Sequence, residues 1–162
     1  MSEFKSIEKE AEEIPPCGIK VDKEGVWYFE GKEMFRRDIV NYFYQNLVKD
    51  GAGRYIIVQG DERCYLEVED TPFIVKAVFS KGSRERGDEE LELLLCDDTV
   101  ETLDPTTLWV GPENVLYCLI RNGAFKARFS RPGYYQLADH IDYDPEGGCY
   151  ALTLNGKKYA IK

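Results

Sequence analysis

The chain has 162 residues, 43% of them hydrophobic, enough apolar material for one compact domain or two small halves, and this excludes disorder of the whole. Thirty acidic against 21 basic residues give a net charge of −9, a balance that repels nucleic-acid phosphates and anionic lipid. With no apolar leader and no run near the ~20 apolar residues that span a bilayer, a soluble cytoplasmic protein without nucleic-acid or membrane partners is expected.

Residues 1 to 16 are rich in Glu and Lys and close on Pro15-Pro16, the composition of a charged flexible tail. From Cys17, Ile19 to Val21 and Val26 to Glu30 form a hairpin around Glu24-Gly25, with Trp27 and Phe29 on one face. A turn at Glu30-Gly31 follows. FRRDIVNYFYQNLVKDG then carries Ile39, Val40, Phe43, Leu47 and Val48 at helical spacing, and Gly51 stands where a left-handed C-terminal residue belongs. Tyr55 to Val58 and Cys64 to Val68 read as strands around Gly60-Asp61, completing a ββαββ unit.

TPFIVKAVFS and ELELLLCDDTV supply two further strands, expected to widen the first sheet, and KGSRERGDEE between them has the composition of a loop projecting into solvent. Residues 99 to 114 read as a linker. The ββαββ order then returns in residues 115 to 162: strands flank Asn122-Gly123, a helix starts at Pro132 with Tyr134, Leu137, Ala138 and Ile141 on one face, and strands flank Asn155-Gly156. Gly25 matches Gly123, Trp27 matches Phe125 and Phe43 matches Leu137 at a nearly constant separation. The expected fold is therefore α+β: two ββαββ-like repeated units, each a mostly antiparallel sheet packed on one helix, spanning 17 to 98 with two extra strands and 115 to 162.

Three segments carry a family resemblance. They are the hairpin from Asp22 to Gly31, the Glu-Asp-x-Pro-Phe turn at Glu69 to Phe73, and the Arg-Pro-x-x-Tyr helix start at Arg131 to Tyr135. In this order and spacing they resemble the uncharacterised bacterial family of domain of unknown function 1285, from about Cys17 to the C-terminus. The resemblance implies an α+β fold with two similar units and carries no established activity, cofactor or catalytic residue. A role in signal transduction is an analogy at the level of the family. The ending CYALTLNGKKYAIK is more polar than the family's pattern, which puts a shared C-terminal surface in doubt.

The residues offer little visible chemistry. Cys17, Cys64, Cys96, Cys118 and Cys149 are odd in number and contain no C-x-x-C pair, so reduced core thiols are expected in place of a disulfide or metal site. His140, the one histidine, reads as a solvated surface residue, and Glu89-Glu90 and Asp97-Asp98 read as solubilising edge charges. The aromatic residues read as core. The remaining pattern is an arginine at each strand-to-helix junction. Arg36 and Arg37 precede the first helix, and Ser130 and Arg131 precede the second, where free N–H groups and a guanidinium can hold an anion. The function expected is a non-catalytic binding or regulatory module for a small acidic ligand or a protein partner, with no cofactor or metal. The alternatives are an enzyme using carboxylate and arginine chemistry without a motif, and a subunit that assembles, as a homo-oligomer, through sheet edges.

Overall fold

Pro16–Val21 (β1) and Trp27–Phe29 (β2) pair antiparallel, with Val21 opposite Trp27. Asp22 closes their turn by accepting hydrogen bonds from the Glu24 and Val26 amides, while Gly25 takes φ +82°. The computed structural model describes residues 14–162, so the expected tail lies outside the described residues except at its end, where Pro16 already opens β1. The chain divides into two units, Met1–Asp70 and Thr71–Lys162.

In the first unit β2 turns at Glu30 and Gly31, both left-handed, into Lys32–Glu33 (β3). The helix Arg37–Gln45 (α1) follows, then Leu47–Lys49 (β4), Tyr55–Gln59 (β5) and Glu62–Val68 (β6). The sheet runs β3-β2-β1-β6-β5-β4, antiparallel except where β1 lies parallel to β6. Tyr44 of α1 is buried and its hydroxyl accepts the Trp27 indole N–H at 2.9 Å, which fixes the helix against the β1–β2 hairpin. Helical periodicity predicted a helix running on to Gly51. Asn46 ends it instead, its side-chain amide donating to the Tyr42 carbonyl, because Leu47–Lys49 gains a ladder with β5. Tertiary pairing here overrides a local helical pattern.

Parallel pairing of β1 with β6 also sets Cys17 beside Cys64, and the two form a disulfide of 2.01 Å with Cα atoms 4.9 Å apart. The expectation of five reduced thiols is corrected for this pair: a sheet contact across 47 residues leaves no local trace in the sequence. Cys96, Cys118 and Cys149 are free, and burial pushes the Cys118 thiol up to about 12, so that one is inert.

In the second unit Phe73–Lys81 (β7), Glu90–Leu95 (β8), Val100–Thr102 (β9), Trp109–Val110 (β10), Leu116–Ile120 (β11) and Phe125–Phe129 (β12) form a sheet ordered β10-β11-β12-β7-β8-β9. The helix Arg131–Ala138 (α2) leads to a three-stranded sheet of Ile141–Asp144 (β13), Cys149–Leu154 (β14) and Lys157–Ala160 (β15). The strands expected to widen the first sheet, β7 and β8, belong here, because β7 lies parallel to β12. Phe73, Ile74 and Val75 are consecutively buried, as a strand covered on both faces requires. Residues 99 to 114, expected as a linker, contribute β9 and β10 to this sheet.

Helix α2 is stapled to β7. The Ser130 hydroxyl caps the helix by accepting from the Gly133 amide and donates to the Val75 carbonyl at 2.8 Å, while Gln136 Oε1 accepts from the Val78 amide at 2.6 Å. A Cβ on Gly133 would lie 2.8 Å from the Val75 carbonyl oxygen, so only glycine permits this approach. The helix stops before Ile141, which pairs with Leu152 in the last sheet instead of continuing the expected helical face. The fold is thus α+β, with a six-stranded sheet near a helix in each unit.

Candidate functional site

The β14–β15 hairpin turns on Asn155 and Gly156, both left-handed, as an Asn-Gly pair between alternating strands requires. Asn155 does more than turn the chain. Its Oδ1 accepts the Glu89 amide and its Nδ2 donates to the Glu89 carbonyl, each at 2.9 Å, which pins the end of the β7–β8 loop to this hairpin. The Glu89 side chain then points inward, where Oε2 accepts the Ser80 hydroxyl at 2.6 Å and Oε1 accepts Arg84 Nε at 3.1 Å. His140, just past the end of α2, brings Nε2 to 3.0 Å from Arg84 Nη2 and 3.5 Å from Glu89 Oε2.

Arg84, Glu89, His140 and Asn155 line an open polar recess of about 280 Å³ together with Asp139, Asp142, Thr153 and Gly156. The side chains of Glu89 and His140 are 6% and 10% exposed. Both sequence expectations are corrected: Glu89 is not an edge charge and His140 is not solvated, because Asn155 and the end of α2 draw them under cover. The Ser80 hydrogen bond, with those of His140 and Arg84, holds the Glu89 carboxyl below its ordinary range against the opposing effect of burial. Asp97 of the other expected edge pair is likewise buried, bound by Arg121 at 2.9 Å.

His140 Nε2 faces a donor and an acceptor at once. A guanidinium only donates, so the neutral imidazole accepts from Arg84 and carries its proton on Nδ1; the imidazolium donates to Glu89 and abandons Arg84. Nδ1 is buried with no hydrogen-bond partner. The constellation is no Ser-His-acid triad, since the carboxylate lies between Ser80 and His140 and itself accepts the hydroxyl's hydrogen bond. Among the described residues no group of three or more His, Cys, Asp or Glu side chains is placed to hold a metal ion.

A larger recess of about 590 Å³ on the first unit is lined by Lys20, Asp22, Tyr28, Tyr65 and Glu69. Its polar groups engage one another at the surface, Lys20 with Glu69 and Tyr28 with Asp22, and no buried titratable side chain faces it.

At the helix N-termini, Arg36 spends its guanidinium on Asp38 at 2.7 Å, and that contact holds the Asp38 carboxyl below its ordinary range. Arg37 is exposed on the first turn of α1, and Arg131 is exposed on the first turn of α2 behind the engaged Ser130. Arg36 and Arg37 belong to one unit, Ser130 and Arg131 to the other. Sequence reasoning missed Ser80, Arg84, Glu89, His140 and Asn155. Separations of 51 residues between Glu89 and His140 and 66 between Glu89 and Asn155 leave no motif, and Asn155 announced itself only as a turn residue.

A mixed α+β chain of two units with a small polar recess defines a fold class that the comparisons make specific. Residues 10–71 match the family described as domain of unknown function (DUF1285), N-terminal domain. A DUF1285 family protein from Silicibacter pomeroyi DSS-3 has a similar structure, with a TM-score of 0.74 at 20% identity over 90% of this chain and 80% of that one. Another from Shewanella baltica OS155 gives 0.64 at 15% identity, over 76% of this chain and 91% of that one. The resemblance to this family read from the sequence is thereby shown. No curated protein matches the chain.

Proposed function

We propose that this chain is a non-catalytic binding or regulatory module that recognises a small ligand in the recess of its second unit. The carrying observation is the nearly buried Glu89–His140 pair presented to that recess, with one imidazole nitrogen shared between two partners and the other without any. A buried polar group serving stability alone is normally saturated, because an unpaired one costs about 1–3 kcal/mol. His140 departs from that norm at Nδ1, and it lines the recess beside Glu89. A volume near 280 Å³ suits a small metabolite.

The enzymatic alternative is weaker, since a carboxyl held below its ordinary range is a poor base near neutral pH. An anion at the helix N-termini is also weaker, because Arg36 and Ser130 already have partners. Among the described residues no helix is long and apolar enough to cross a membrane; the cytoplasmic location expected from the sequence stays a proposal, and the Cys17–Cys64 disulfide, a bond rare in reducing compartments, weighs against it. We further read both units as versions of one ββαββ-like motif, each helix being followed at once by a short strand and a hairpin.

Thermal shift across a panel of small polar metabolites tests the binding reading. A ligand at 100 times its Kd adds about 2.7 kcal/mol. The expected result is a raised Tm whose increment shrinks in Asp142→Asn and Thr153→Val. No shift with any compound, or an increment unchanged in both variants, contradicts it.

A further inference from the structure

We propose that the ligand of this recess is a small cation bearing a guanidinium group, and that Arg84 occupies its place in the unliganded protein. This rests on the recess being a binding site. Arg84 Nε donates to Glu89 Oε1 at 3.1 Å and its Nη2 to His140 Nε2 at 3.0 Å, so one planar fork bridges two acceptors. The acceptors are part of the fold and the donor is not. Glu89 is positioned by Ser80 and by its reciprocal bonds with Asn155, and His140 by backbone bonds through Leu137 and Thr153; none of these involves Arg84. Arg84 reaches in from the β7–β8 loop with its side chain 67% exposed, against 6% for Glu89.

The charge of the walls agrees. Glu89, Asp139 and Asp142 oppose Arg84 alone, and Asp139 and Asp142 have no side-chain hydrogen bond or ion pair among the described residues. An arriving guanidinium takes over both acceptors, and its chain or amine meets these carboxylates at the rim. An anion finds at the same wall only a guanidinium already shared between Glu89 and His140. His140 lines the recess with its side chain nine-tenths buried, its Nδ1 unpartnered and its Nε2 already accepting from a guanidinium, that of Arg84.

The test is chemical rescue in the full-length Arg84→Ala variant, with agmatine and L-arginine as probes against matched sodium chloride. Removing the tethered competitor should tighten agmatine binding about tenfold or more over wild type by calorimetry, since the competent state no longer has to be vacated. The probes should also raise the variant's Tm, and Arg84→Ala/Glu89→Gln should lose both effects. Equal affinity in wild type and Arg84→Ala, or retention in the double variant, overturns the inference. If guanidinium probes do nothing while another class of metabolite stabilises the protein through Asp142 and Thr153, the cation assignment falls and the binding reading stands. If no compound acts on either form, both fall.

Discussion

Asn155 and Glu89 clasp each other through two hydrogen bonds of 2.9 Å, one in each direction, across 66 residues. The same asparagine sits at φ +53° in the β14–β15 turn, so it serves local chain reversal and long-range positioning together.

Asn155→Gly separates these roles, because glycine keeps the left-handed turn and deletes the clasp. Losing two partly buried hydrogen bonds should cost about 1–3 kcal/mol, read as a lower denaturation midpoint at unchanged slope. Any ligand affinity should fall with it, since Glu89 loses its anchor. An unchanged midpoint would show that the clasp does not hold the loop.

Glu89 makes stability depend on acid. Its carboxyl titrates below the ordinary Glu value near 4.3 when folded, so its contribution is complete above that value and disappears as the pH falls through the lower folded value. Glu89→Gln should be less stable than wild type at pH 7 and should flatten the decline of stability below about pH 4. Parallel pH profiles of wild type and variant would remove Glu89 from this role.

Gly133 is where α2 touches β7, and a methyl group there would sit 2.8 Å from the Val75 carbonyl oxygen. Gly133→Ala should destabilise the second unit by about 1–3 kcal/mol despite the better helix propensity of alanine. A stabilised Gly133→Ala protein would mean the helix stands off the strand.

The Cys17–Cys64 bond closes a loop of 47 residues around the first unit. Chain-entropy arguments assign such a loop about 4 kcal/mol, so reduction, or Cys17→Ser with Cys64→Ser, should lower the unfolding temperature of this unit. Free-thiol titration of the unfolded, unreduced protein should find only Cys96, Cys118 and Cys149.

Local chemistry carried the turns and the partly local packing into the sequence. Asn122-Gly123 and Asn155-Gly156 turn as such pairs do, Trp27 and Phe125 are both buried, and α2 starts behind Ser130 next to Pro132. What depends on distant pairing was hidden. Leu47–Lys49 has a helical pattern until β5 claims it, and the home sheet of β7 is settled by β12, some fifty residues further along. The disulfide follows from β1 lying parallel to β6. The recess was least legible of all, because Glu89 and His140 looked like ordinary surface polar residues and only folding brings them together under cover.

His140 is the one histidine of the chain, so its imidazole Cε1–H resonance reports on the recess without assignment ambiguity. The most direct measurement is to follow this resonance by proton NMR while titrating a compound that raises the Tm, agmatine with Arg84→Ala being the first case. The account predicts a saturable shift of the His140 signal with the same dissociation constant as the thermal stabilisation. Stabilisation that leaves the His140 resonance unmoved would place the binding elsewhere and contradict it.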